Sequence, residues 1–253
     1  MNQGSAVNGA AGSSTASSTV AVVVLAGGSR LRVGHDRNKA YLPLGTRTAV
    51  GMSLQTMATA TMPGLRRLVL VVRTDDRELA ERTLDEELPR PSVPVELVVG
   101  GSTRHGSERQ ALRCLERDIH AGAVDLVLIH DAARPLCSPA LVRALVRAAA
   151  ENGGAVPGLV ADDLVAVDDD ETLVPLVGTH VRVQTPQVFA AGPLLEAYRR
   201  AADEGFDGTD TSSCVERYSS LDVVHVAGEP QNFKITYPHD VHIANELARR
   251  NHH

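Results

Sequence analysis

The sequence predicts an α/β protein: a doubly wound, mostly parallel sheet from which a β-hairpin arm protrudes. Three observations carry this expectation. Short apolar, β-branched runs stand at residues 20–25, 68–72, 95–99 and 126–129. Segments with apolar residues at helical spacing separate them, at 49–60, 77–88 and 107–121. The runs do not alternate polar with apolar residues, as expected of strands covered by helices on both faces. Strand, helix, strand in repeated order means parallel pairing, with ligands beyond the carboxyl ends of the strands.

The remaining elements each have a signal. Residues 138–152 read as a helix, with Ser138 as its cap and Pro139 at its first position. After Gly153-Gly154 the texture changes. Residues 159–167 and 173–183 are β-rich, with Asp168-Asp169-Asp170-Glu171 between them. This reads as a long hairpin with an acidic tip, an arm of residues 159–183. A hairpin that leaves the main sheet cannot bury both faces alone, so a homodimer built on the arm is expected. Residues 193–205 return to helix, 221–226 read as strand and 238–250 as a closing helix. Residues 20–253 are expected to form one domain behind a disordered tail of residues 1–19. His252-His253 enter no argument.

At 253 residues and 43% hydrophobic, the chain can bury a sizeable core. Aromatics are only 3% and Trp is absent, so Val, Leu and Ala must fill that core. A formal net charge of −6 argues against nucleic-acid binding and requires a local basic pocket for any anionic substrate. Cys114, Cys137 and Cys214 lie far apart with no CxxC pair. They read as reduced thiols of a cytoplasmic protein, not as a disulfide framework or zinc site. No run approaches the roughly 18 apolar residues of a membrane span. The tail lacks the basic start and apolar centre of a secretory signal.

Val22-Val23-Val24-Leu25-Ala26-Gly27-Gly28-Ser29-Arg30-Leu31-Arg32, with Lys39 seven residues on, carries the first functional signal. Glycines let backbone N–H groups approach phosphate oxygens, and cationic side chains offset charge that moves during phosphoryl or nucleotidyl transfer. The spacing is neither GxxxxGK[ST] nor GxGxxG. A tight strand-to-helix turn is the plainer reading of the glycines, and Arg32 with Lys39 favours a triphosphate site over it. The stretch resembles LAGGxGxR…K, the signature loop of sugar-nucleotide pyrophosphorylases and cytidylyltransferases, with Arg30 in place of the pattern's next glycine.

Four further motifs accompany the loop. Gly100-Gly101-Ser102-Thr103-Arg104-His105-Gly106-Ser107 leads into a helix, where Ser107 either caps the helix or contacts a nucleobase or ribose. His130-Asp131-Ala132-Ala133-Arg134-Pro135 follows a strand. Asp131 there either holds Mg²⁺ between phosphates or caps the next turn, paired with Arg134. Gln184-Thr185-Pro186-Gln187-Val188-Phe189 reads as a polar turn with little chemistry of its own. Gly208-Thr209-Asp210, then Asn232-Phe233-Lys234-Ile235-Thr236, adds a second acid and a second cation, the latter read as lying on a strand.

GGSTRxxS, HDAARP, QTPQxF, TD and NxKxT, in this order and at these separations, resemble the 2-C-methyl-D-erythritol 4-phosphate cytidylyltransferase family over nearly all of residues 20–250. The resemblance implies a Rossmann-like nucleotidyltransferase fold that uses CTP, a polyol phosphate and Mg²⁺ to make isoprenoid precursors. It implies triphosphate and transition-state cations at Arg32, Lys39 and Lys234. Nucleotide contacts fall on Leu25, Ala26, Gly27, Gly28, Gly100, Ser107, Asp131 and Ala132, with Asp131 also as metal ligand. Arg104 is expected to hold the Gly100-Gly101 turn. Acceptor contacts fall on Thr209, Asp210, Asp163 and Arg182.

The acceptor half departs from the family pattern. Asp163 stands where that pattern has Thr, and Val177 where it has an Arg that grips the acceptor phosphate. Both changes act against an anion, with His180 or Arg182 as possible replacements. Two alternatives therefore stay open. One is the same transfer to another polyol phosphate, such as ribitol 5-phosphate. The other is a diverged nucleotide-binding paralogue with little catalysis.

Overall fold

The computed structural model describes residues 18–27, 38–88 and 90–250. The expectations for Gly28, Arg30, Arg32, most of the tail and His252-His253 lie outside these residues.

The chain opens with β1 (Val20–Leu25), the hairpin strands β2 (Pro43–Leu44) and β3 (Arg47–Thr48), α1 (Ala49–Thr61) and β4 (Leu65–Val72). It continues through α2 (Arg77–Glu87), β5 (Val95–Val99), α3 (Arg104–His120), β6 (Leu126–Asp131) and α4 (Pro139–Asn152). β7 (Gly153–Val160), β8 (Ala166–Val167), β9 (Leu173–Val174), β10 (Val181–Val183) and β11 (Gln187–Ala190) follow. α5 (Ala191–Asp203), α6 (Thr211–Tyr218), β12 (Asp222–Ala227) and α7 (Pro238–Arg250) complete it.

β1 is the reason a sheet forms here. Val20, Val22 and Val24 face one core with Leu54, Leu128 and Leu145. Ala21 and Val23 face the other with Leu112, Leu115, Leu194 and Tyr198. Helices α1, α2 and α4 cover the first face and α3, α5 and α6 the second, so no position on the strand can be polar. Full burial of a valine contributes about 1.5–3 kcal/mol.

The strands run β10–β7–β11–β6–β1–β4–β5, with β12 on β7. β1 pairs in parallel with β4 on one side and β6 on the other, and Leu25 faces both Val71 and Asp131. β5 and β12 also pair in parallel, with β4 and β7, whereas β10 and β11 are antiparallel to their neighbours. The strand order therefore turns away from β1 in both directions. The loops after β1 and β6 open a crevice at that switch point.

Four expectations change. α3 starts three residues before the expected 107, because Thr103 is the cap: its Oγ1 accepts from Gly106 N at 2.9 Å. The arm is shorter than 159–183. β7 belongs to the main sheet and β10 pairs with it, which leaves only the β8–β9 hairpin with its acidic tip outside. Gln187–Ala190 is a strand rather than part of a turn. Lys234 lies on an irregular segment, not a strand, anchored where Ile235 N donates to Ala133 O at 2.8 Å.

Candidate active site

A cleft of about 420 Å³ opens at the switch point. It is lined by Leu25, Ala26 and Gly27 at the end of β1 and beyond, by Lys39, by Gly101 to Arg104 and Ser107 at the start of α3, by Asp131 at the end of β6 and Ala133 beyond it, and by Lys234 and Thr236. An adjoining cleft of about 400 Å³ shares Gly27 and Gly101 with it and reaches Gly100.

Each wall has a local cause. Leu25 O accepts from Ala132 N at 3.0 Å and Ala26 N donates to Val71 O at 2.8 Å, which fixes the start of the glycine loop between β4 and β6. Asn38 is 1% exposed. Its amide donates to Ala26 O at 2.5 Å and Asp76 Oδ2 at 2.9 Å, while its own oxygen accepts from Ala40 N. That places Lys39 beside the loop. The Gly100-Gly101 turn is held by Ser107, whose Oγ accepts from Gly101 N at 3.2 Å and donates to Thr103 O at 2.9 Å.

Asp131 sits at the floor with both carboxylate oxygens engaged. Oδ2 accepts from Lys234 Nζ at 2.8 Å and Oδ1 from Arg104 Nε at 3.2 Å. Burial alone would raise this carboxyl, but Arg104 and Lys234 hold it well below the usual carboxylate range. Arg104 does not hold the glycine turn as expected. Its Nη1 donates to Glu108 at 2.6 Å. Burial works against its charge, and Asp131 and Glu108 more than restore it. The alternative in which Asp131 pairs with Arg134 gives way to these two cations; Arg134 Nη1 instead donates to Asn232 O at 2.8 Å.

The polar turn at Gln184–Gln187 is the scaffold of the site. Gln184 Nε2 donates to Glu229 O at 2.8 Å, and its Oε1 accepts from Glu229 N at 3.1 Å. Asn232 Nδ2 donates to Thr185 O at 2.9 Å. These bonds hold the segment that carries Lys234. Thr185 Oγ1 also accepts from Asp131 N at 3.0 Å. The turn therefore ties the strand end bearing the acid to the loop bearing the ammonium.

The structure brings Leu25, Ala26, Gly27, Lys39, Ser107, Asp131 and Lys234 into one cleft and Gly100 into its neighbour. Ala132 is fully buried behind it and braces β1. Thr209 and Asp210 line neither cleft. Asp210 caps α6, accepting from Ser213 N at 3.0 Å and from Gln187 Nε2 at 3.2 Å. Burial would raise its carboxyl, and those donors with Ser212 hold it below the ordinary value. Asp163 and Arg182, the latter on β10, form an exposed ion pair with each other outside the cleft lining. Val177 is 91% exposed.

Neither Asn38 nor Glu108 is singled out in the sequence, and one compositional signal there goes unused. Of the chain's 25 lysines and arginines only Lys39 and Lys234 are lysines, and both line this cleft. Everywhere else the chain uses guanidinium. An ammonium is a compact point charge that guanidinium does not replace.

Sequence and structural comparisons agree on the kinship of this site. The family model described as "IspD: 2-C-methyl-D-erythritol 4-phosphate cytidylyltransferase" matches residues 20–250. The enzyme of that name from Solibacter usitatus is 37% identical over 202 residues, 75% of this chain and 77% of that one. The bifunctional enzyme IspD/IspF of Nitrobacter winogradskyi is 32% identical over 227 residues, 88% of this chain but 54% of that one. The chain thus spans about half the length of such bifunctional relatives. The crystal structure of 4-diphosphocytidyl-2C-methyl-D-erythritol synthase from Anaerococcus prevotii superposes with a TM-score of 0.78 at 25% identity, covering 92% of this chain and 97% of that one. The chain belongs to the 2-C-methyl-D-erythritol 4-phosphate cytidylyltransferase family.

Proposed function

We propose that the chain transfers the cytidylyl group of CTP to 2-C-methyl-D-erythritol 4-phosphate, releasing pyrophosphate. The observation that carries this reading is the placement of its two lysines in one cleft with an ionised aspartate and a glycine turn. The acceptor phosphate oxygen bonds to the α-phosphorus, the bond from that phosphorus to the β-bridging oxygen breaks, and the electron pair leaves with pyrophosphate. The nucleophile is already anionic near neutral pH, so the protein needs no general base; positioning and charge stabilisation suffice. Lys39 faces the triphosphate and Lys234 the α-phosphate, with Arg32 as a further cation. Ser107, Ala26 and Gly27 bound the nucleoside side.

The donor set suits Mg²⁺. Asp131 is the sole acid among the described residues lining the cleft, and no group of three His, Cys, Asp or Glu side chains is clustered among the described residues. One hard carboxylate plus substrate phosphates is how Mg²⁺ is usually held. When bound, the ion supplies charge neutralisation at the triphosphate.

A homodimer is part of the proposal. The arm carries Val165, Val167, Leu173 and Val177, each more than half exposed in one chain. Exposed apolar side chains gathered in one short segment support burial against another copy. The three cysteines are free thiols, which agrees with a cytoplasmic site of action.

The acceptor is the part the cleft supports least, because Asp163 and Val177 take no part in its lining. Pyrophosphate release from CTP and Mg²⁺ with a panel of polyol phosphates tests the proposal. Release with 2-C-methyl-D-erythritol 4-phosphate sustains it. Release only with another acceptor, such as ribitol 5-phosphate, reassigns the substrate. CTP binding without release on any acceptor identifies a nucleotide-binding paralogue.

A further inference from the structure

A second carboxylate lies behind the cleft, and the transfer reaction makes no direct use of it. Glu108 is 1% exposed and receives three donors from three elements. Arg104 Nη1 donates to Oε1 at 2.6 Å, Thr211 Oγ1 donates to Oε1 at 2.5 Å, and the Tyr198 hydroxyl donates to Oε2. Thr211 is 0% exposed and Tyr198 1% exposed. Tyr198 cannot swing away, since its ring stacks on His105 at 4.5 Å between centroids with planes 12° apart. A carboxylate sealed from water in this way depends on its donors holding one geometry.

The pair does not end at Arg104. The same guanidinium donates through Nε to Asp131 Oδ1, and Asp131 Oδ2 holds Lys234 Nζ. The four groups form one line of alternating charge, Glu108, Arg104, Asp131 and Lys234, that ends at the open cleft. Without Glu108, the Arg104 charge would have Asp131 as its one remaining carboxylate among the described partners. Its guanidinium would then compete with the ammonium for Asp131.

We propose that Glu108 is a positioning residue for the transfer step: it anchors Arg104 through one nitrogen so that Asp131 keeps an oxygen for Lys234 and aims the ammonium into the cleft. The inference rests on the proposed cytidylyl transfer, in which Lys234 faces the α-phosphate. It also explains why a buried acid on α3 meets hydroxyls from α5 and α6: all three lock the far end of the arginine.

The test uses the full chain, with Glu108→Gln, Lys234→Ala and their combination. Glu108→Gln should lower kcat on the order of 10–100-fold, the scale of a small misplacement at a reacting centre, while CTP affinity stays within about twofold. In the Lys234→Ala background the same change should cost almost nothing more. Independent, multiplying losses would overturn the proposal, as would an equal loss in CTP affinity, which a merely structural role would produce. A second readout needs no turnover. Because the chain has only two lysines, acetylation by a small amine-directed reagent can be followed at each by peptide mass spectrometry. Lys234 should react several-fold faster in Glu108→Gln, with Lys39 as the internal control. An unchanged ratio would overturn the proposal even if the wild-type chain released no pyrophosphate with any acceptor, a result that would defeat the functional reading instead. Tyr198→Phe keeps the stacked ring and removes only the hydroxyl. It should move both readouts the same way by a smaller factor, and serves if Glu108→Gln does not fold.

Discussion

Lys234 Nζ lies 2.8 Å from Asp131 Oδ2, so one of the chain's two ammonium groups rests on the only carboxylate among the described residues that line the cleft. The Asp131 side chain is 9% exposed and that of Lys234 38%. The acid is thus fixed from behind while the cation faces the opening. In the proposed transfer, a triphosphate entering the cleft would meet an ammonium already held in place, as electrostatic preorganisation requires.

Lys39→Arg and Lys234→Arg should each behave almost like alanine substitutions. Guanidinium keeps the charge but spreads it over a planar fork that cannot occupy an ammonium's position. Each should lose on the order of 10²–10³ in kcat, with CTP affinity changed only a few-fold. Steady-state kinetics with calorimetric titration of CTP checks this, and near-full turnover in the arginine variants would exclude the assigned roles.

Gly101→Ala should weaken CTP binding at least about tenfold, the scale of one lost contact of roughly 1.4 kcal/mol. A Cβ there would stand 2.7 Å from the carbonyl carbon of Gly106 and 2.9 Å from its Cα. These are backbone atoms in the first turn of α3 and cannot rotate aside. The turn that Ser107 holds would have to open. Titration of CTP into the variant checks it, with circular dichroism to show that the fold persists.

The parts of this architecture that could be read from the sequence are those set by local rules. β1 is legible because a strand covered on both faces must be apolar throughout. α4 is legible because Ser138 and Pro139 mark its start: Ser138 Oγ accepts from Leu141 N at 3.1 Å. The first part of β7 is not legible because Gly153, Gly154 and Pro157 are residues that disfavour a strand interior. The strand tolerates Gly154 for a reason that only the packing shows, since a Cβ there would lie 2.9 Å from the Phe189 ring. The site divides in the same way. Lys39, Asp131 and Lys234 announce themselves through short motifs. Glu108 does not, because its partners Tyr198 and Thr211 are 90 and 103 residues distant. Asp163 rests on its place in the family pattern and Arg182 on its nearness to Val177, and in one chain the two satisfy each other.

His130 makes stability fall on acidification. Its ring is fully buried, Nε2 bonded to Arg134 O at 3.1 Å and Nδ1 to Thr185 Oγ1 at 3.3 Å. Burial is the main cause that pushes its pKa down from 6.5 to about 4, with Arg134 adding to it and Asp131 opposing. Above pH 6.5 the ring is neutral in both folded and unfolded chains, and stability is unaffected. As pH falls below 6.5 the unfolded chain takes up the proton first, so stability drops until the folded pKa near 4 is passed. The full loss is about 3 kcal/mol. Urea unfolding at pH 7, 5.5 and 4 should show it, and His130→Gln should remove this component of the slope.

Val165→Asp with Val167→Asp should convert a dimer to monomers while leaving the main sheet intact. Both side chains project from the arm, 63% and 56% exposed in one chain. A dimer that buries them must then desolvate two carboxylates. Sedimentation velocity at micromolar concentration checks it: a wild-type monomer, or a double variant that still dimerises, would remove the arm from the interface.

The most direct test of the transfer itself follows oxygen. Acceptor phosphate carrying ¹⁸O in its three non-bridging positions is incubated with CTP, Mg²⁺ and the chain, and both products are weighed by mass spectrometry. Attack by the acceptor on the α-phosphorus predicts a cytidine diphosphate product that retains all of the label and pyrophosphate that carries none. Label in pyrophosphate, or hydrolysis of CTP with no labelled nucleotide product, would contradict the account.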